Sequence, residues 1–173
     1  FNSKYCSQLI SFLEGCYTQT KVCFGYIDAP TTSYYPLALG NGWAGGDYLF
    51  LTTHVLVHYL PDLPWAAVFG SEYIQLFGRE RILSAPIYEV KELDAETIYC
   101  QLTKNIADLY NDFEMVQQQR EAAKRHLGYD CFYQKELGYK WDRNRNNQSG
   151  PPYRVPKFSI IDEDVVYKAA SQR

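Results

Sequence analysis

The stretch PIYEVKELDAETIYCQLTKNIADLYNDFEMVQQQREAAKRHLG, Pro86 to Gly128, carries two different periodicities, and the change between them decides the fold class. Ile87, Val90, Ile98, Cys100 and Leu102 alternate with polar residues along two short runs, 86–90 and 97–102. That spacing predicts two strands paired as a hairpin, with a tight turn near Asp94 and Ala95. Further on the period lengthens. Phe113, Val116, Arg120, Ala123 and Leu127 fall on one face of a helix. Asp112 is a good N-cap, and Glu114 lies where negative charge suits the helix dipole. Lys124, Arg125 and His126 fill the last turn, and Gly128 is a fitting stop.

Upstream the signals are shorter. Cys6, Leu9, Ile10 and Leu13 predict an opening helix that Gly15 can end. Residues 22–27, Val-Cys-Phe-Gly-Tyr-Ile, read as a core strand. Residues 28–47 hold Pro30, Gly40, Gly42, Gly45 and Gly46 and read as a long loop. Thr52, Thr53, Val55 and Val57 favour a strand over 48–60, stopped by Pro61 and Pro64. From Trp65 to Leu83 the stripe Trp65, Val68, Phe69, Tyr73, Leu76, Phe77 predicts helix, with Gly70 able to split it in two. Downstream, residues 139–157 gather Lys140, Arg143, Arg145, Arg154 and Lys157 against a single acid, Asp142, among several Asn, Pro and Gly. This is a basic loop or extension. Phe158 to Ile161 predicts a short returning strand, and Asp162–Asp164 open a terminal helix.

The 173 residues suit one domain, residues 1–173, with a core that needs no disulfide or metal. Apolar residues make up 46% and charged residues 21%, which excludes disorder of the whole chain. A net charge of −3 gives no overall attraction to nucleic acid or anionic lipid, so neither is an expected partner. No apolar run approaches the roughly 20 residues of a membrane helix. Five widely spaced cysteines without a C-x-x-C pair fit reduced core thiols in the cytoplasm rather than a disulfide framework or a zinc site. An opening on Phe1 rather than Met fits a start segment that is missing or removed. The 16 tyrosines are the outlying feature of composition; they suit either a half-buried sheet surface or a recognition face.

Chemistry-bearing patterns are sparse. His54 and His58 could share a metal on a helix, but on the expected strand they stand about 13 Å apart, so no metal and no cofactor is expected. The glycine-rich 39–46 lacks the Lys-Ser/Thr ending of a phosphate loop. Glu72, Glu80, Glu89, Glu92, Glu96 and Asp108 are candidate carboxylates for a hydrolase, yet nothing selects a pair, and no catalytic residue is assigned. The interleaving of Trp141 with Arg143 and Arg145, and of Tyr153 with Arg154, suits single-stranded nucleic acid or an acidic protein surface, the net negative charge favouring the second, against the plainer reading of a solvated loop whose charges keep it soluble.

Two stretches carry a resemblance. Phe24-Gly25-Tyr26-Ile27-Asp28 follows an opening helix, and Tyr59-Leu60-Pro61-Asp62-Leu63-Pro64-Trp65 runs into Val68-Phe69-Gly70 and then Tyr73 to Glu80. Over residues 5–130 this layout loosely resembles bacterial immunity-protein families associated with type VI secretion and polymorphic toxins. The resemblance implies a protein that binds a cognate toxin and has no reaction of its own; its motifs are structural and carry over no binding residue. The expectation is therefore an α+β fold, a mainly antiparallel sheet with helices packed on one face, and a cytoplasmic, non-catalytic binding protein. Trp43, Trp141, Arg143, Arg145 and Tyr153 are the expected partner-binding anchors. The alternatives are a hydrolase with an unrecognised site and a structural subunit whose Tyr-rich faces are buried in a homo-oligomer.

Overall fold

The computed structural model describes residues 3–29, 56, 59–134 and 153–158. It is an α+β fold in the order α1 (Ser3–Gln19), β1 (Phe24–Ile27), β2 (Ala66–Phe69), α2 (Ser71–Phe77), α3 (Arg79–Leu83), β3 (Glu89–Asp94), β4 (Thr97–Gln101), α4 (Asp108–Asn111) and α5 (Phe113–Leu127), with a 3-10 turn at Tyr129–Cys131. The four strands form one antiparallel sheet in the order β1-β2-β4-β3.

Register divides the sheet residues between its faces, because neighbours along a strand point in opposite directions. Phe24 pairs with Phe69, and Phe69 with Ile98, so all three share a face. On that face α2 lays Tyr73 and Phe77 against Phe24 and Phe69, with ring centroids 5.3–6.0 Å apart. Phe132 stacks on Phe77, and α3 and α5 extend the helical layer. Gly25, Val68 and Tyr99 face the other way, and there α1 crosses. A Cβ on Gly25 would stand 3.1 Å from Leu13, so the missing side chain lets α1 lie close. Tyr17 donates to Asp94, and Lys91 pairs with Glu14 at 2.9 Å.

The helix at Phe113–Leu127 is as its sequence dictates. Asp112 Oδ1 accepts from the Met115 N–H, and Gly128 closes the last turn on the Lys124 carbonyl at φ +130°, where an L side chain would be strained. The hairpin also forms, pivoting at Ala95-Glu96, with a register shift between Glu92 and Asp94. Its outer strand β3 carries Glu89, Lys91, Glu92 and Asp94, charges that discourage edge-to-edge pairing.

Three expectations are corrected. Residues 66–69 are not helical; they form β2, an inner strand buried at all four positions. A strand covered on both faces reads as an unbroken apolar run and mimics a helical stripe. Gly70 does divide the segment, but strand from helix. Gly15 does not end α1, which continues to Gln19 because Tyr17 prolongs its inner stripe of Cys6, Ile10 and Leu13. Of the strand expected over 48–60 only Leu56, Tyr59 and Leu60 are described: Leu56 is helical, and Leu60 makes an isolated parallel bridge to Phe132. Most of the 28–47 loop and residues 159–173 lie outside the described residues, and Phe158 itself is not in a strand.

The end of the expected basic extension is fastened to this body. The Arg154 N–H donates to the Asp130 carbonyl, and its guanidinium grips the Asp130 carboxylate at 2.6 and 3.2 Å and the Leu76 carbonyl at 3.1 Å. Arg154 thereby holds the Asp130 carboxyl below the usual range.

Two glycines make opposite predictions. A Cβ on Gly70 would meet the Val22 carbonyl oxygen at 2.3 Å and the Cys23 Cα at 2.9 Å, both backbone, so Gly70→Ala should destabilise by about 2–3 kcal/mol. A Cβ on the helical Gly15 meets nothing within 4 Å, so Gly15→Ala should stabilise by about 0.5–1 kcal/mol. Urea denaturation of both variants checks the signs; a shared sign would contradict the packing described.

Candidate functional site

The antiparallel order brings four chain segments to one end of the sheet. Ile27 pairs with Ala66, Ala66 with Gln101, and Gln101 with Glu89. Asp28, Trp65, Thr103 and Tyr88 therefore cluster just beyond the strands. The chain passes from here through Ala29 towards the glycine-rich segment, and through Thr103 into α4.

Behind this end, α5 points two cations inward, one turn apart. Arg120 is wholly buried. Its Nε donates to the Leu63 carbonyl at 2.8 Å, Nη1 donates to Gln117, and Nη2 stands 4.0 Å from Asp28 Oδ1. Lys124 Nζ lies 3.2 Å from Asp62 Oδ1 and 2.8 Å from Glu121 Oε1, above the rings of Tyr129 and Phe132. Asp62 Oδ1 also accepts from the Leu63 N–H at 2.8 Å. The Asp62-Leu63 turn is thus held to α5 by both cations. Trp65 Nε1 donates to Thr103 Oγ1 at 3.0 Å; Thr103 Oγ1 donates to the Asn105 carbonyl, and Gln101 Nε2 to the carbonyls of Thr103 and Lys104. Buried polar groups are costly unless satisfied, and these bonds secure the Asp62-Leu63 and Thr103–Asn105 turns at the sheet end.

The charges differ in environment. Burial pushes the Asp28 carboxyl up to about 6, against the opposing pull of Arg120 and of the Ala29 and Trp65 N–H groups. Its side chain is 6% exposed, and Oδ2 has no hydrogen-bond partner among the described residues. Burial alone would depress the Lys124 ammonium; Asp62 and Glu121 prevail and hold it above the ordinary lysine value. Glu121 is half-buried, yet Lys124 keeps it below the usual carboxylate range.

At this end Tyr88, whose N–H donates to the Leu102 carbonyl, opens onto solvent; Tyr110 of α4 and Met115 of the first turn of α5, on the chain that leaves Thr103, are exposed as well. Tyr and Met are enriched in protein interfaces. Of the expected anchors, Trp43, Trp141, Arg143 and Arg145 lie outside the described residues, as do His54 and His58. Tyr153 is described and half-buried. Its ring lies 5.4 Å from that of Tyr59, and its hydroxyl accepts from the Gln134 N–H at 3.0 Å, so its polar tip serves the fold.

Four of the six carboxylates singled out from sequence have a side-chain or backbone partner: Glu92 with Arg79, Glu96 with Lys21 at 3.5 Å, Glu72 with Ser71, and Asp108 with the Asn105 N–H. One pairing invites a catalytic reading. Ser84 Oγ and His126 Nε2 are 3.1 Å apart. The same Nε2 lies 2.8 Å from the Arg81 carbonyl, which can only accept, so Nε2 carries the proton and cannot act as a base towards Ser84. Arg81 in turn reaches the Leu127 carbonyl at 3.4 Å. The two helix ends cap each other. Among the described residues no group of three or more His, Cys, Asp or Glu is placed to hold one metal ion, and no helix is long and apolar enough to cross a membrane. The five cysteines are unpaired; burial pushes Cys100 up to about 12 and Cys131 to about 11, whereas Cys16 is exposed.

Compared with known proteins, the chain matches no family model, no curated protein and no solved structure.

Asp28 and Asp62 were missed from sequence, and Arg120 was placed only as one member of a helix face. A signal existed: an arginine on an otherwise apolar stripe demands a buried counter-charge.

The raised Asp28 value fixes the sign of a pH effect. Its ordinary pKa is 3.8 and its folded value about 6, so the folded state takes up the proton first as pH falls. Stability from this group is present at acid pH and is lost as pH rises through that window, by about 3 kcal/mol. Asp28→Asn should remove this component, seen as a changed pH slope in urea midpoints between 3.8 and about 6. Parallel pH profiles for the two proteins would contradict the assignment.

Proposed function

We propose that the protein is a non-catalytic binding protein, an immunity protein that neutralises a cognate bacterial toxin by direct contact in the cytoplasm. The observation that supports this reading is exposed Tyr88 at the sheet end, with exposed Tyr110 and Met115 on the helices that follow it, beside a buried ionic network. Affinity at such a surface comes from aromatic anchors on a preorganised support. The glycine-rich segment that follows Ala29 carries Trp43, and the basic segment carries Trp141, Arg143 and Arg145; with Tyr153 these are the further anchors of the proposal. Occlusion of an active site needs only contact, so no reacting group is required of this chain.

A hydrolase is the second reading, and Asp28 is what favours it, since a carboxyl near neutrality suits a general base. Its burial against Arg120 argues the other way, because the group has little surface to offer a substrate.

The test is co-expression in a bacterial host with the toxin encoded next to this gene. The chain should restore growth and co-purify with the toxin. Tyr88→Ala combined with Tyr110→Ala should weaken that complex at least about tenfold, as loss of interface aromatics does, while leaving the fold intact by circular dichroism. Failure to protect against the neighbouring toxin, or turnover of a substrate by the purified chain, would refute the reading.

A further inference from the structure

Helix α1 has two apolar faces. Cys6, Ile10, Leu13 and Tyr17 face the sheet. Tyr5, Leu9, Phe12 and Cys16 form a second stripe within an arc of about 60°, and it opens onto solvent: Tyr5 is 59% and Phe12 70% exposed. A surface helix normally shows one apolar face and a charged opposite one. Here every exposed residue from Tyr5 to Cys16, namely the stripe with Ser7, Gln8, Ser11 and Gly15, is uncharged, and the half-buried Glu14 is turned to Lys91.

Charge and spacing together select the occupant. A basic or acidic partner finds nothing to complement on this face. A second copy of the same face brings apolar groups together without opposing like charges. The stripe positions are also four, three and four residues apart, a spacing that reads the same in both directions. About a two-fold axis between Ile10 and Ser11, Leu9 of one helix meets Phe12 of the other while Tyr5 meets Cys16. Such mutual pairing is what a two-fold interface requires. We propose that the protein is a homodimer in which α1 of one protomer packs antiparallel on α1 of its partner through Tyr5, Leu9, Phe12 and Cys16. This does not depend on the toxin-binding reading, which uses the sheet end.

Light scattering during gel filtration of the full chain tests it. The wild type should run near twice its 20.1 kDa chain mass and dissociate on dilution. Phe12→Asp should run as a monomer with an unchanged circular dichroism spectrum. Orientation is read by cross-linking: oxidised Tyr5→Cys should form a covalent dimer that disappears when Cys16→Ser is added. A wild type that is monomeric at every concentration, a dimer untouched by Phe12→Asp, or a cross-link that survives Cys16→Ser would each overturn the proposal.

Discussion

Arg120 is the constraint on which the sheet end depends. A guanidinium cannot shed its proton at any ordinary pH, so a fully buried one must be surrounded by acceptors. It finds the Leu63 carbonyl, Gln117 and, at 4.0 Å, Asp28. These belong to the turn before β2, to α5 itself and to the residue after β1. One side chain thus fixes three parts of the fold relative to each other. Lys124 repeats the device one turn along, tying the same turn through Asp62. Buried ion pairs seldom add stability over a well-packed apolar substitute, but removing one partner is costly. Their consequence here is registry: the Asp62-Leu63 turn has one seat on α5, and β2 starts from that seat.

This explains what could be read in the sequence and what could not. The Asp112–Gly128 helix and the hairpin were legible because their signals are local: a cap, a stop, an alternation. β2 was not, because Ala66–Phe69 owes its conformation to neighbours on both sides, and a short apolar run has no period of its own. Gly15 looked like a stop because propensity was weighed without Tyr17, whose burial and bond to Asp94 extend the helix. The α+β class and the antiparallel sheet followed from the local signals even so. The candidate site was the least legible part. Arg120 stood on the right face, yet its acceptor Leu63 lies 57 positions away, and no spacing rule reaches that far.

The sheet end and the outward stripe of α1 are built differently. At the sheet end a polar, hydrogen-bonded interior supports exposed rings, the construction expected where rigidity precedes contact. On α1 the outward stripe is apolar and uncharged, and beneath the helix apolar packing is joined by the Tyr17–Asp94 hydrogen bond and the Glu14–Lys91 pair. The strands between them are short, and Tyr99, Gln101 and Thr103 form a hydrogen-bonded run along β4 and the turn beyond it. That run links the face under α1 to the turn that leads into α4.

The most direct test of the registry account is a double-mutant cycle on Asp28 and Arg120, with Asp28→Asn, Arg120→Met and the pair, read by urea denaturation at neutral pH. Each single change strands a buried partner, so Arg120→Met should cost about 3–5 kcal/mol. The double variant should recover part of that loss, giving a coupling of at least about 1 kcal/mol. Strictly additive losses would mean that the two groups do not sense each other, and that Asp28 has no part in holding Arg120 at the sheet end.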